Sequence, residues 1–292
     1  MSISSEIADP RRERGGERSH SVFAGILRKL PRKTVVGVLM LLALLVAGVV
    51  AKIGFDPNFI GTEILDPPSA THPFGTDSIG RDVAQRTLAA ALVDLPLALG
   101  STLIAAVVGT LLGLLAGGGG RMAESIMRIV DGFQAFPTLI LILVLVQVTG
   151  GGTGVLILTL AVLNMPRFIR LTRTEAMQVA RARYVFFARV VGASKRFVLF
   201  RHILPNVTGA ILSQASVGAA ISLSAIGAMS FLGLGMAPPT PSWGAMIQLG
   251  ASGMTVGQWW PVLFPCMGLV YSIVAFNLAA DSLDSHFARE AQ

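Results

Sequence analysis

The sequence predicts an all-α membrane protein with six transmembrane helices, and three observations predict it. Of its 292 residues 53% are hydrophobic and 13% charged, with a mean hydropathy of +0.69. A soluble domain so poor in charge lacks the polar surface to cover itself. Six apolar runs, at 34–51, 96–117, 132–148, 153–166, 209–233 and 260–280, approach the roughly 20 residues a helix needs to cross hydrocarbon. With the N-terminus placed in the cytoplasm, 20 of the 23 Lys and Arg fall on the cytoplasmic side and three on the other. The positive-inside rule therefore puts both termini in the cytoplasm, the orientation expected of an inner-membrane protein.

The chain begins with a basic tail, residues 1–33, whose first 20 residues are polar, rich in Arg and expected to be disordered. The first span, 34–51, is longer than the apolar part of a secretory signal and reads as a retained anchor. Residues 52–95 form an extracytoplasmic segment with turns at Asp56-Pro57, Pro67-Pro68 and His72-Pro73. Its end, Asp82 to Leu95, is expected to be a separate helix near the interface. The core, 96–285, opens with a span carrying Gly109, Gly113 and Gly117 on one face. That stripe serves either close helix packing or a narrow wall along a pathway. Gly150 to Gly152 turn the chain between spans three and four. Span five carries Gly218, Ser222 and Ser224; after it comes a Pro-rich outside segment in which Trp243 suits the membrane interface, as do Trp259 and Trp260 at the start of span six. A short tail, 286–292, closes the chain.

What is missing narrows the function. The spans carry almost no ionisable side chains, which argues against an ion-coupled carrier. No G-x-x-x-x-G-K-[ST] loop is present, so no nucleotide is bound in that way. His20, His72, His202 and His286 show no metal-ligand spacing, and Cys266 has no partner for a disulfide. The net charge of +7 follows from topology, so nucleic acid is not an expected partner.

The informative region is the basic cytoplasmic loop 167–206, with Glu175 as its only acid. Within it YVFFARVVGA (184–193) is apolar and too short to span a membrane. As a helix it would place Tyr184, Ala188 and Gly192 on one face, Phe187 and Val191 at its flanks, and Arg181, Arg183, Arg189, Lys195 and Arg196 around it. Small residues on that face would admit a partner's backbone, and Pro205 would break the chain before span five. A helix-in-groove contact with an acidic protein and a helix lying on anionic membrane lipid both fit this pattern.

The sequence also carries four blocks in order: HPFGTDSIGRDV (72–83), YVFFARVVGAS followed by KRFVLFRHILPN (184–206), SFLGLGMAPPTPSWGAM (230–246) and FNLAADSL (276–283). In these the chain resembles the permease subunits of binding-protein-dependent ABC importers, in the dipeptide/oligopeptide and nickel group. The resemblance implies a type I ABC importer transmembrane fold, and a pathway for peptides or another small solute such as glutathione or a nickel chelate. It implies as partners a homologous second permease, two cytoplasmic ATP-binding subunits and an extracytoplasmic solute-binding protein. It implies no cofactor on this chain, with ATP used in trans, so the chain itself is no enzyme. It also implies an ATPase-coupling helix containing Tyr184, Phe186, Phe187, Ala188, Arg189, Gly192 and Ala193, followed by Pro205. Three positions depart from the group's pattern: Phe186-Phe187 replaces Glu-Ala, and Ile226 stands where an acid is common.

Overall fold

The computed structural model describes residues 32–54, 56–150 and 152–290, excluding the side chains of Arg189, Lys195 and 281–290. The expected disorder of the N-terminal tail, His20, Gly151, the side chain of His286 and the end of the C-terminal tail lie outside the described residues. In order, the helices are α1 (Arg32–Gly54), α2 (Val83–Gly117), α3 (Arg121–Gln134), α4 (Thr138–Thr149), α5 (Thr153–Ala180), α6 (Arg183–Val190), α7 (Lys195–Val198), α8 (Leu204–Phe231), α9 (Trp243–Ala251) and α10 (Trp260–Glu290). Five helical stretches are long and apolar enough to cross a membrane: α1, α2, α5, the run Arg196–Phe231, and Trp260–Ala280 of α10. The pair α3 and α4, bent by 91°, makes a sixth if taken as one span.

Helix α2 is the centre of the bundle, flanked by α1, α5, α8 and α10. It meets α5 along its glycine stripe. A Cβ on Gly109 would lie 2.6 Å from Phe168 Cβ, one on Gly113 2.6 Å from Thr172 Cβ, and one on Gly117 3.1 Å from Ala176 Cβ. The stripe is therefore a seam between two backbones and faces no channel. Helix α1 docks by the same device, since a Cβ on Gly37 would lie 2.4 Å from the Ala275 carbonyl oxygen and one on Gly48 2.6 Å from that of Leu88. Between α2, α5 and α8 the buried Ser222 hydroxyl receives a hydrogen bond from Asn164 Nδ2 at 2.7 Å and lies 3.2 Å from both Ser101 and Thr102 Oγ.

Several elements differ from the expectation. Residues 83–95 are no separate interface helix; they are the first turns of α2, 35 residues long in all. Asp82 caps the helix by accepting the Gln85 N–H at 2.9 Å, and Val83, Ala90, Ala91 and Leu95 are buried in the main core. Pro96 removes only one backbone bond from a helix that packs against four others. The expected span 132–148 is broken, because Pro137 disfavours helix at Phe136 and α4 starts afresh after it. Its 12 residues rise only ~18 Å, short of a ~30 Å hydrocarbon core.

The fourth span does not stop at 166 but runs to Ala180, since Phe168, Ile169, Thr172 and Ala176 are buried and pack on or near the α2 seam. Residues 167–180 of the expected loop are thus helix. Pro205 does not break the chain either. It sits in the first turn of α8, after a wide π turn over Leu199–Ile203 in which Leu204 N–H bonds to the Leu199 carbonyl. The widened turn gives the proline ring room beside the preceding carbonyls.

Trp243 is not interfacial. It is fully buried, donating Nε1–H to the Thr87 carbonyl at 2.9 Å, at the start of a short helix wedged among α2, α8 and α10. Of the other two tryptophans Trp259 is exposed, while Trp260 is buried and donates to the Thr76 carbonyl at 3.1 Å. That contact, with the Phe74–Phe264 stack at 3.9 Å, pins the segment before α2 onto α10. His72 Nδ1 lies 2.7 Å from Asp82 Oδ2. Asp77 Oδ1 accepts the Ile79 and Arg81 N–H groups at 2.9 and 3.0 Å, so this block builds the turn that starts α2.

The seam predicts a contrast between two glycines on one helix. Gly113→Ala should lower the stability of the detergent-solubilised chain by about 1–3 kcal/mol, seen as a lower thermal unfolding midpoint. Gly100→Ala, where nothing lies within 4 Å of the added Cβ, should leave the midpoint unchanged or slightly raised.

Candidate functional site

The block 184–206 folds as a helix, a tight stop and a return. Helix α6 covers eight residues, Arg183–Val190, and is held by one side chain. Val185 is 0% exposed and packs with Leu114 at the end of α2, Ala176 of α5, Val198 and Ile203 leading into α8, and Val207 in its first turn. The other apolar residues of α6 turn away from this anchor: Tyr184, Phe186, Phe187 and Val190 are exposed.

The helix ends earlier than expected. Gly192 has φ +93°, and Ala193 N–H bonds back to the Ala188 carbonyl at 3.0 Å, the closure of a helix by a left-handed residue. Gly192 is therefore not on the helical face with Tyr184 and Ala188. Its glycine is required by backbone conformation, because a Cβ there would meet nothing within 4 Å yet a side chain is disfavoured at that φ. Ser194 then starts α7, accepting the Phe197 N–H at 3.2 Å.

The result is an open hollow of about 720 Å³ lined by Tyr184, Phe187, Ala188, Val191, Gly192 and Phe197, together with Ala193 and Ser194. The structure thus gathers five of the expected residues: Tyr184, Phe187, Ala188, Gly192 and Ala193. Phe186 lies outside the hollow, its ring edge-on to Phe187 with centroids 5.8 Å apart. Pro205 lies outside it too, and the side chain of Arg189 is not among those described. Sequence reasoning missed Val185, Phe197 and His202. His202 stands between Tyr184 and Phe197, with ring centroids 5.9 and 5.6 Å away. Only Val185 had a legible signal, as the lone β-branched residue inside an aromatic run, and that signal does not say which way it faces.

The chemistry available is that of contact. The hollow is apolar, and Arg181, Arg183 and Arg196 are exposed around it. Among the described residues no group of three or more His, Cys, Asp or Glu could hold a metal ion. Such a surface binds an apolar ridge or lip on a partner whose rim carries negative charge.

A family model described as the binding-protein-dependent transport system inner membrane component matches residues 109–291, more than half of the chain. The chain belongs to that family. It is 37% identical over 253 residues to the probable D,D-dipeptide transport system permease protein of Escherichia coli, covering 85% of this chain and 83% of that one. It is 36% identical over 217 residues to the glutathione transport system permease protein of Pectobacterium atrosepticum, covering 74% and 72%. To the dipeptide transport system permease protein of Bacillus subtilis it is 32% identical over 252 residues, covering 85% and 78%. The chain is a multi-pass inner-membrane permease with the type I ABC importer fold.

Within this permease the absent acid at 226 acquires a structural account. Ile226 is buried in one apolar cluster with Leu95 and Trp243. The carboxylate serving that region comes from Asp94 on α2, whose Oδ2 accepts the Trp243 N–H at 2.9 Å and lies 3.2 Å from Ser242 Oγ. Asp94 thus caps α9 from a neighbouring helix, where Ser242 makes no cap of its own.

The stop at Gly192 is open to test. Gly192→Ala should cost about 1–2 kcal/mol at a positive φ, read as roughly 5- to 30-fold faster amide hydrogen exchange over 184–193. Exchange in α2 should not change.

Proposed function

We propose that this permease is one half of the translocation pathway of an ATP-driven importer for di- or oligopeptides, with α6 as the element that docks a cytoplasmic ATP-binding subunit. The observation that carries the reading is the burial of Val185 between the ends of α2, α5 and the run into α8, beneath a hollow left open to solvent. A partner seated in that hollow pushes on a short helix whose only firm attachment is to three spans. Closure of an ATPase pair on nucleotide would tilt those spans toward an outward-open state.

An orientation with α6 and both termini in the cytoplasm is supported by the 20-to-3 distribution of Lys and Arg. The complete machine has a second, homologous permease, two ATP-binding subunits that hold all the nucleotide, and an extracytoplasmic solute-binding protein. This chain binds no cofactor. A peptide cargo is supported by the names of the relatives, which include dipeptide and D,D-dipeptide permeases. A glutathione permease supports the second reading, a different small solute, and glutathione is itself a peptide. With phenylalanines at 186 and 187, the ATPase contact is more apolar than the Glu-Ala pair of the resembling group would make it.

Phe187→Arg places a charge on the wall of the hollow without touching the Val185 anchor. It should reduce co-purification of the ATP-binding subunit at least tenfold while the permease reaches the membrane at its normal level. Undiminished co-purification would remove the docking role. In cells auxotrophic for an amino acid, deletion of the gene should abolish growth on the corresponding dipeptide, and growth that survives deletion would remove the peptide cargo.

A further inference from the structure

A second cavity, of about 300 Å³, lies at the bend between α3 and α4, lined by Phe133, Gln134, Thr138, Leu163, Pro166 and Arg167. Phe133, Gln134, Thr138 and Arg167 are exposed, so the cavity opens to the surface of this chain. Arg167 belongs to α5, a helix long and apolar enough to cross a membrane, and a cation on such a helix is costly and persists where it has a task.

Arg167 is held in place. Its Nη1 donates to Asn164 Oδ1 at 2.8 Å, and Asn164 is buried and fixed in turn by its bonds to Ser222 Oγ at 2.7 Å and the Leu160 carbonyl at 3.2 Å. This engages one nitrogen of the guanidinium, while the cavity lining contains no carboxylate to engage the others. Asp131, one turn before Gln134, already pairs with Arg170. The walls add the uncharged hydrogen-bonding side chains of Gln134 and Thr138. Pro166 also lacks the N–H that would pair with the Val162 carbonyl four residues back, which frees an acceptor on the same wall. Interrupted spans are where transporters commonly assemble a site for a polar solute.

We propose that this cavity is a solute subsite for a carboxylate, with Arg167 as its cation and Gln134 and Thr138 as its neutral walls. The inference rests on the permease reading and narrows it to solutes bearing a free carboxylate. A lipid phosphate offers the same oxyanion chemistry. The observation that favours a water-soluble occupant is the polar wall opposite Arg167, where lipid chains would require apolar side chains.

The test uses the full chain in membrane vesicles, with its single cysteine removed by Cys266→Ala and a probe introduced by Thr138→Cys. The measured quantity is the rate of modification by an anionic sulfonatoethyl and a cationic trimethylammonioethyl methanethiosulfonate. The ratio of anionic to cationic rates should be about tenfold higher with Arg167 than with Arg167→Gln, and Arg167→Lys should keep most of it. An equal ratio in all three overturns the proposal. So does reaction with membrane-permeant N-ethylmaleimide alone, which would place the cavity against lipid. A second arm needs no change at Arg167: millimolar alanylalanine and acetate are tested for protection of the thiol, with alanylalanine amide as the control. Protection by the carboxylates and not by the amide supports the site, and equal protection by all three overturns it. Protection by acetate without alanylalanine leaves the carboxylate site standing and counts against peptide cargo, so the two failures are distinguishable.

Discussion

Because lipid tails are as apolar as leucine, burying apolar side chains gives membrane helices little reason to associate, and close packing must do it instead. In this permease the requirement is met along α2. Gly109, Gly113 and Gly117 bring its backbone against α5, and Gly218 brings α8 to within 3.2 Å of Thr102 at the position of a missing Cβ. Everything else is placed relative to that core. The end of α5 carries α6, the middle of α5 carries Arg167, and α8 carries Ser222, so a shift of the seam would move the hollow, the cation and the hydroxyl cluster together.

Polar groups inside the bundle are used as fasteners between segments. Asp94 caps α9 and so holds the chain between α8 and α9 against α2. Arg86, also on α2, donates Nη1 to the Pro57 carbonyl at 3.1 Å and to Asn58 Oδ1 at 2.8 Å, tying the segment after α1 to the same helix. Trp243 and Trp260 bind carbonyls with their indole N–H groups while filling the core with their rings. Where water is absent, a satisfied polar contact specifies one partner, because leaving the group unpaired would cost several kcal/mol. These fasteners explain why two of the four sequence blocks lie at the end of the bundle opposite α6.

Helix α6 follows a different logic. It is short, attached by Val185, stopped by Gly192 and exposed over most of its surface, with Val191 87% exposed. Eight residues cannot hold helical structure alone in water, so its shape is borrowed from the spans beneath it. Phe186 and Phe187 fit that arrangement, since neither reaches the anchor and their exchange for a Glu-Ala pair leaves the support under the helix intact.

The sequence by itself determined the membrane class, the number of apolar runs and the charge asymmetry, because each depends on composition over some 20 residues and not on neighbours in space. It also marked the residues that meet in the hollow, since five of them fall within ten positions of one another. What it could not decide was which face of a helix meets another and where a helix continues past a proline. Pro137 breaks a helix while Pro96, Pro166 and Pro205 do not, and the difference lies in whether packed neighbours hold the chain through the missing bond. Trp243 read as interfacial because indole suits that boundary; its partners Asp94 and Thr87 are about 150 residues away. Gly192 read as a contact residue and proved to be a stop, and Arg167 read as loop charge and proved to lie on α5, lining a cavity at the bend between α3 and α4. In each case the deciding term was long-range packing, which only the tertiary structure supplies.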